Sequence, residues 1–160
     1  MKKFLKRLLA GKRLIDYAQS DKPEEFVDEL LRVQLHLVGL ADQPGLDPDA
    51  VTEDTLLAYI EEHSKFEDED FSPMTLDHEG GEAVLVFSTE EHRETFTAMF
   101  TRQADRVFAF QTATIDGDGL PAIAAQVSAM MLNPGSSESH TLTPEQFRLL
   151  QSRHGANKAE

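Results

Sequence analysis

The stretch Ala129-Met-Met-Leu-Asn-Pro-Gly-Ser-Ser-Glu-Ser-His-Thr-Leu-Thr-Pro-Glu-Gln-Phe-Arg-Leu-Leu150 limits the possible folds more than any other part of the chain. It reads as a buried strand, a tight turn at Asn133-Pro134-Gly135, a short return strand and a capped helix. Pro134 sets φ and Gly135 admits a positive φ at the next position, the pattern of a type II turn. Thr143 and Gln146 have capping-box spacing, and Pro144 suits the first helical position. Phe147, Leu149 and Leu150 then give the helix its core face.

Elements before this stretch alternate between helix and strand. Residues 21–33 have Pro23 in a first turn, Asp21 and Glu24 at capping distance, and an apolar stripe of Phe26, Val27, Leu30 and Leu31. Val33, Leu35 and Leu37 alternate with Gln34, His36 and Val38, a strand signal that places His36 opposite the leucines on a half-exposed face. Residues 41–51 are a Pro/Gly/Asp loop. Thr52 opens a helix carrying Leu56, Leu57 and Ile60, with Glu53 and Asp54 in the dipole-favoured first turn. Residues 72–78 and 82–87 flank Glu79-Gly80-Gly81 as a hairpin. Ser88 and Glu91 have capping-box spacing ahead of a helix through Phe96, Met99 and Phe100, with His92 exposed near its start. Apolar residues on both faces of 106–111 mark a central strand buried on two sides. Residues 116–119 read as a turn before a helix at 121–127, and the chain beyond Gln151 as a polar, frayed tail.

Charge is unevenly placed. The net charge is −14, yet residues 1–20 hold Lys2, Lys3, Lys6, Arg7, Lys12 and Arg13 against Asp16 alone, leaving −19 on residues 21–160. An acidic body repels phosphate backbones, so nucleic acid is not an expected partner. Residues 2–19 have Phe4, Leu5, Leu8, Leu9, Leu14, Ile15, Tyr17 and Ala18 at helical spacing. That basic amphipathic helix is a candidate to contact a protein partner or a membrane surface, or to dock on its own domain. Deleting residues 1–19 is expected to leave the domain folded. Lys6, Arg7, Lys12 and Arg13 break the apolar run, so a signal peptide is not expected. No run of 18 apolar residues suggests a membrane span. The absence of cysteine excludes disulfides, thiolate metal sites and cysteine nucleophiles, and fits a reducing cytoplasm.

Val84-Leu-Val-Phe-Ser-Thr-Glu-Glu91, followed by Met131-Leu-Asn-Pro-Gly-Ser136 and Leu142-Thr-Pro-Glu-Gln146, resembles the SseB N-terminal domain family of bacterial "enhanced serine sensitivity" proteins. Phe87 to Glu91 match one motif and Asn133 to Ser136 the other. The resemblance covers roughly residues 21–152 and implies a small α/β domain with no established catalytic residues. The division expected is a basic helix at 1–20, the SseB-like domain at 21–152 and a polar tail at 153–160. The fold class is α/β (or α+β), a single layer of about five strands in a mixed, twisted sheet with helices packed on it.

Chemistry has few footholds. Ser136, Ser137, Ser139 and His140 invite a hydrolase reading, and Asn133, Gly135 and Ser136 a loop that binds a small molecule through backbone amides. A nucleophile needs a base within hydrogen-bond reach, and adjacent Ser139 and His140 point to opposite faces of a strand. There is no Gly-x-Ser-x-Gly elbow, Walker lysine or Rossmann glycine set. The six histidines are scattered singly, so no zinc site is expected, and no cofactor. The acidic run Glu61, Glu62, Glu67, Asp68, Glu69 and Asp70, with His63, lacks EF-hand order and reads as a solvated linker. The expectation is a non-enzymatic interaction or regulatory module in the cytoplasm, binding a basic protein partner or a second copy of itself. The alternative is a small-molecule binding domain or minor hydrolase using residues 133–140.

Overall fold

Ala83, Val84, Leu85, Val86 and Phe87 are all fully buried, and the molecule is layered around them. The computed structural model describes residues 14–40, 45–64 and 71–158. Its strands are β1 (Gln34–Gly39), β2 (Thr75–His78), β3 (Gly81–Val86), β4 (Gln111–Asp116), β5 (Ala129–Leu132) and β6 (His140–Thr141). Its helices are α1 (14–18), α2 (Pro23–Leu30), α3 (Glu53–Ser64), α4 (Glu90–Ala104), α5 (Leu120–Ala124) and α6 (Pro144–Lys158).

Among the described residues six strands in two sheets stand where about five in one were expected. One sheet runs β2-β3-β5-β6, with β3 and β5 parallel and the other pairs antiparallel; the second is the antiparallel pair β1-β4. His36 and Phe87 join them by exchanging backbone hydrogen bonds of 2.8 and 2.9 Å. Beside this bridge, the Met74 amide donates to the Val38 carbonyl at 2.7 Å.

Successive strand residues point to opposite faces, and β3 divides the core accordingly. Val84 and Val86 join Phe26, Val27, Leu30, Leu35, Leu37, Leu120, Ala124, Met130, Leu132, Phe147 and Leu150 in a large cluster under α1, α2, α5 and α6. Leu85 and Phe87 join Val38 and Phe96 in a smaller cluster under α4, extended by Met99 and Phe100. Helices therefore cover both faces, giving an α/β domain with a mixed sheet.

Several sequence expectations need correction. The strand buried on two sides is β3, not residues 106–111. A run apolar on both faces is what a central strand requires, and Ala83–Phe87 has it without interruption. Of 106–110, only Val107 pairs, in an isolated bridge with Leu46. Phe108 and Phe110 pack instead with Phe100 in a chain of rings whose centroids lie 5.6 to 6.1 Å apart. The N-cap of α2 is Lys22, with no side-chain cap, so Asp21 does not act as one; Pro23 does open that helix. Thr89 rather than Ser88 caps α4, accepting from the His92 amide at 3.1 Å. The helix expected at 121–127 is a short α5 after a 3-10 turn at Gly117–Gly119. Beyond Gln151 the chain continues as helix to Lys158.

The basic candidates Lys2, Lys3, Lys6, Arg7, Lys12 and Arg13 lie outside the described residues, as do Glu67 to Asp70. Leu14 and Ala18 are buried in the large cluster. The described part of that helix, residues 14–18, is therefore packed on the domain.

Candidate functional site

Residues 133–139 connect β5 to β6 and lie against α4. The turn has the expected form: the Ser136 amide donates to the Asn133 carbonyl at 3.3 Å, and Gly135 has φ +83°. A Cβ on Gly135 would sit 2.9 Å from Met99 Cε, so the turn rests on α4. Asn133 itself has φ +51°, a left-handed conformation that Asn tolerates better than most residues.

Asn133 is 2% exposed, and its side chain forms a two-sided clamp. Its Oδ1 accepts from the Ser88 amide at 2.8 Å, and its Nδ2 donates to Ser88 Oγ at 2.9 Å. The Asn133 amide donates to the Val86 carbonyl at 2.8 Å. A buried amide must have its polar atoms satisfied, and here they are satisfied by the end of the neighbouring parallel strand. The two sequence motifs, about 42 residues apart, are thus a single hydrogen-bonded unit. Ser88 is one half of that unit, which explains why Thr89 is left to cap α4.

The remaining candidates serve the loop and the helix after it. Ser136 Oγ donates to the Asn133 carbonyl at 2.9 Å and accepts from the Glu138 amide at 3.1 Å. The Ser139 amide donates to the Ser136 carbonyl, and the Ser137 and Ser139 residues are exposed. Glu138 Oε2 lies 3.1 Å from His92 Nε2, tying the loop to the first turn of α4. His92 is therefore partly buried in a contact, not simply exposed. That pairing had no signal in the sequence, because 46 positions separate the two residues.

His140 is turned away from the serines. Its Nε2 lies 2.9 Å from Gln146 Oε1, and its ring meets Phe26 edge-on at 5.7 Å. Gln146 is 2% exposed. It completes the expected capping box, with the Thr143 amide donating to Oε1 at 2.9 Å and the Gln146 amide donating to Thr143 Oγ1 at 3.1 Å. Its Nε2 donates to the Ala18 carbonyl at 2.9 Å. Since Nε2 of Gln146 is the donor there, its Oε1 can only accept, and His140 Nε2 must carry a proton. Gln146 was legible as a cap but not as the link between α1, β6 and α6. Beside His140 is an open hollow of about 720 Å³ lined by Ser20, Asp21, Thr143, Glu145 and Arg148.

Residues 12–148 match the family model of the SseB protein N-terminal domain. The chain belongs to the SseB family. No match was found among curated proteins, and none among solved structures. In this SseB domain the family-like motifs meet at the Asn133–Ser88 clamp, on the edge between β3, β5 and α4. A second polar cluster of the SseB domain lies between α4 and the β1-β4 pair. Arg93, whose side chain is 11% exposed, reaches the carbonyls of Leu37 and Ala113 at 3.5 and 3.4 Å and lies 3.9 Å from Glu90. His36 Nδ1 is 3.2 Å from Thr114 Oγ1. Burial, and then the Arg93 charge, lower the His36 pKa, while Glu90 acts in the opposite sense. Among the described residues no group of three or more His, Asp or Glu could hold a metal ion, and no helix is long and apolar enough to cross a membrane. Finally, α3 leaves Leu57 and Ile60 58% and 40% exposed, on a helix that carries Glu53, Asp54, Glu61 and Glu62 and no Lys or Arg.

Proposed function

We propose that this SseB domain is a non-enzymatic protein-interaction module whose partner presents a basic amphipathic helix. The observation that carries the reading is α3. An exposed pair of large aliphatic side chains, set among acids on a helix without a basic residue, is the complement of a helix with one apolar and one Lys/Arg-rich face. Support also comes from the 133–140 loop, where Asn133, Ser136, Glu138 and His140 are each engaged in holding the fold. We further propose a cytoplasmic location, the compartment that suits a cysteine-free chain; cell fractionation with the protein in the periplasmic fraction would overturn it.

The test is a titration of the full chain with a fluorescent basic amphipathic peptide. Binding should weaken at least about tenfold in Leu57→Ser, and should weaken as salt rises, because opposite charges are screened. Unchanged binding in Leu57→Ser would overturn the reading.

A second reading, small-molecule binding, has one observation in its favour: the hollow beside His140, with Asp21, Glu145 and Arg148 on its wall. A polar-metabolite screen by ligand-observed NMR, repeated on Arg148→Ala, tests it. A hit lost in that variant would favour this reading over the first.

A further inference from the structure

The hydrogen-bonding direction of β4 can be read from its neighbour. His36 exchanges backbone hydrogen bonds with Phe87, and the Val38 carbonyl accepts from Met74, so these two residues direct their peptide groups away from β4. In the antiparallel register His36 faces Thr114 and Val38 faces Thr112. Both are therefore non-hydrogen-bonded pairs, and by alternation Thr112, Thr114 and Asp116 aim their N–H and C=O groups at the outer edge of β4. All three residues are exposed. Among the described residues no strand pairs with that edge.

Edge strands are ordinarily blunted by shortness, charge, proline or a bulge. Among the described residues, the edges at β6 and β2 follow this rule. β6 has two residues, and β2 has four, among them Asp77 and His78. β4 has six residues, Gln111-Thr-Ala-Thr-Ile-Asp116, with no proline and no charge before Asp116. This uncharged strip is unusual in a chain that is 28% charged residues with a net charge of −14.

We infer that β4 is an interface for a second copy of this chain, pairing antiparallel to its own counterpart and joining the two β1-β4 sheets into one of four strands. With Thr114 on the two-fold axis, it faces its own copy, and Thr112 faces Asp116 of the other chain. The outward peptide groups of Thr112 and Thr114 and the Asp116 amide are then used, and the Asp116 carbonyl, which opens the Gly117–Gly119 turn, accepts a second bond. No like charges oppose each other, and threonine pairs are favourable cross-strand neighbours. Among the described residues the strip is the longest strand edge on which two acidic copies meet without bringing carboxylates together. A contact of this length falls below the roughly 1,200 Å² of a standard interface, so the dimer is a weak, exchanging one. This inference is independent of the proposed role of α3.

Hydrogen exchange on the full chain, measured from low to high micromolar concentration, tests it without mutation. The amides of Thr112, Thr114 and Asp116 should gain protection with concentration. Those of Gln111, Ala113 and Ile115, which point into the β1 ladder, should not change. Sedimentation should give a monomer–dimer equilibrium that strengthens with salt, since screening relieves repulsion between two copies of charge −14. Thr112→Pro removes one outward N–H without touching the β1 ladder and should weaken dimerisation at least about tenfold. Concentration-independent exchange at Thr112 and Thr114 would overturn the proposal. So would a dimer that salt dissociates, because such a contact would be held by charge pairing elsewhere.

Discussion

Asn133 combines three demands that few residues meet together: a left-handed backbone, complete burial and a side chain with both a donor and an acceptor. Alanine at this position leaves the Ser88 amide unpaired and forces an unfavourable φ. Asn133→Ala should cost about 2–3 kcal/mol in chemical denaturation. Asn133→Gly, which accepts the backbone, should cost about 1 kcal/mol less. Equal costs would show that the clamp, not the conformation, accounts for the whole effect. His36 gives a residue-scale prediction in pH. Burial and Arg93 hold its folded pKa below 6.5, so the folded protein binds this proton less tightly than the unfolded chain does. The stability it contributes is complete above 6.5 and is lost as pH falls through the lowered folded value. Thr114, Arg93 and Glu90 are the groups that face it. His36→Gln should therefore lose less stability than the native chain between pH 7 and that value, measured by urea midpoints. A parallel decline in both would contradict the assignment. Gly117 marks a different constraint, close approach: a Cβ there would meet the Leu30 carbonyl oxygen, whereas one on Gly119 would meet nothing within 4 Å. Gly117→Ala should lower the thermal midpoint sharply and Gly119→Ala barely.

Among the elements, α1 changes most in meaning. From the sequence, residues 1–19 look removable as a unit. In the fold Leu14 and Ala18 are core residues, and the Ala18 carbonyl satisfies buried Gln146. Deleting residues 1–19 should destabilise by at least about 3 kcal/mol more than deleting residues 1–13, through lost burial of Leu14 and Ala18 and an orphaned Gln146 amide. Similar midpoints for the two deletions would show that α1 adds nothing to the core. The α6 cap was fully legible, because Thr143, Pro144 and Gln146 act within four residues of each other. The α4 cap was misassigned by one residue for a tertiary reason. Ser88 and Thr89 are equally good caps in isolation, and Asn133 takes the first.

At the scale of the whole molecule, β3 belongs to both core clusters, so the two faces cannot unfold separately. Leu85→Ala on the α4 side and Leu132→Ala on the other should each cost about 2–5 kcal/mol and leave one coincident transition by fluorescence and circular dichroism. Two separated transitions in either variant would mean that the clusters on the two faces of β3 are distinct folding units.

Local text determined a good deal of this protein: the α/β class, the SseB resemblance, the hairpin at Glu79-Gly80-Gly81, the Pro134-Gly135 turn and the Thr143–Gln146 cap. Each depends on backbone preferences and side chains a few residues apart, which a single sequence states directly. Tertiary structure alone decided which apolar run became the central strand. Ala83–Phe87 and Arg106–Phe110 have similar patterns, and only packing sends the second run's aromatics to Phe100. It alone decided that His140 pairs with Gln146 and Phe26 and not with a serine, and that His92 meets Glu138. It also explains why two motifs that read as unrelated turn chemistry mark one family domain: β3 and β5 lie side by side and parallel, which brings Ser88 to the amide of Asn133.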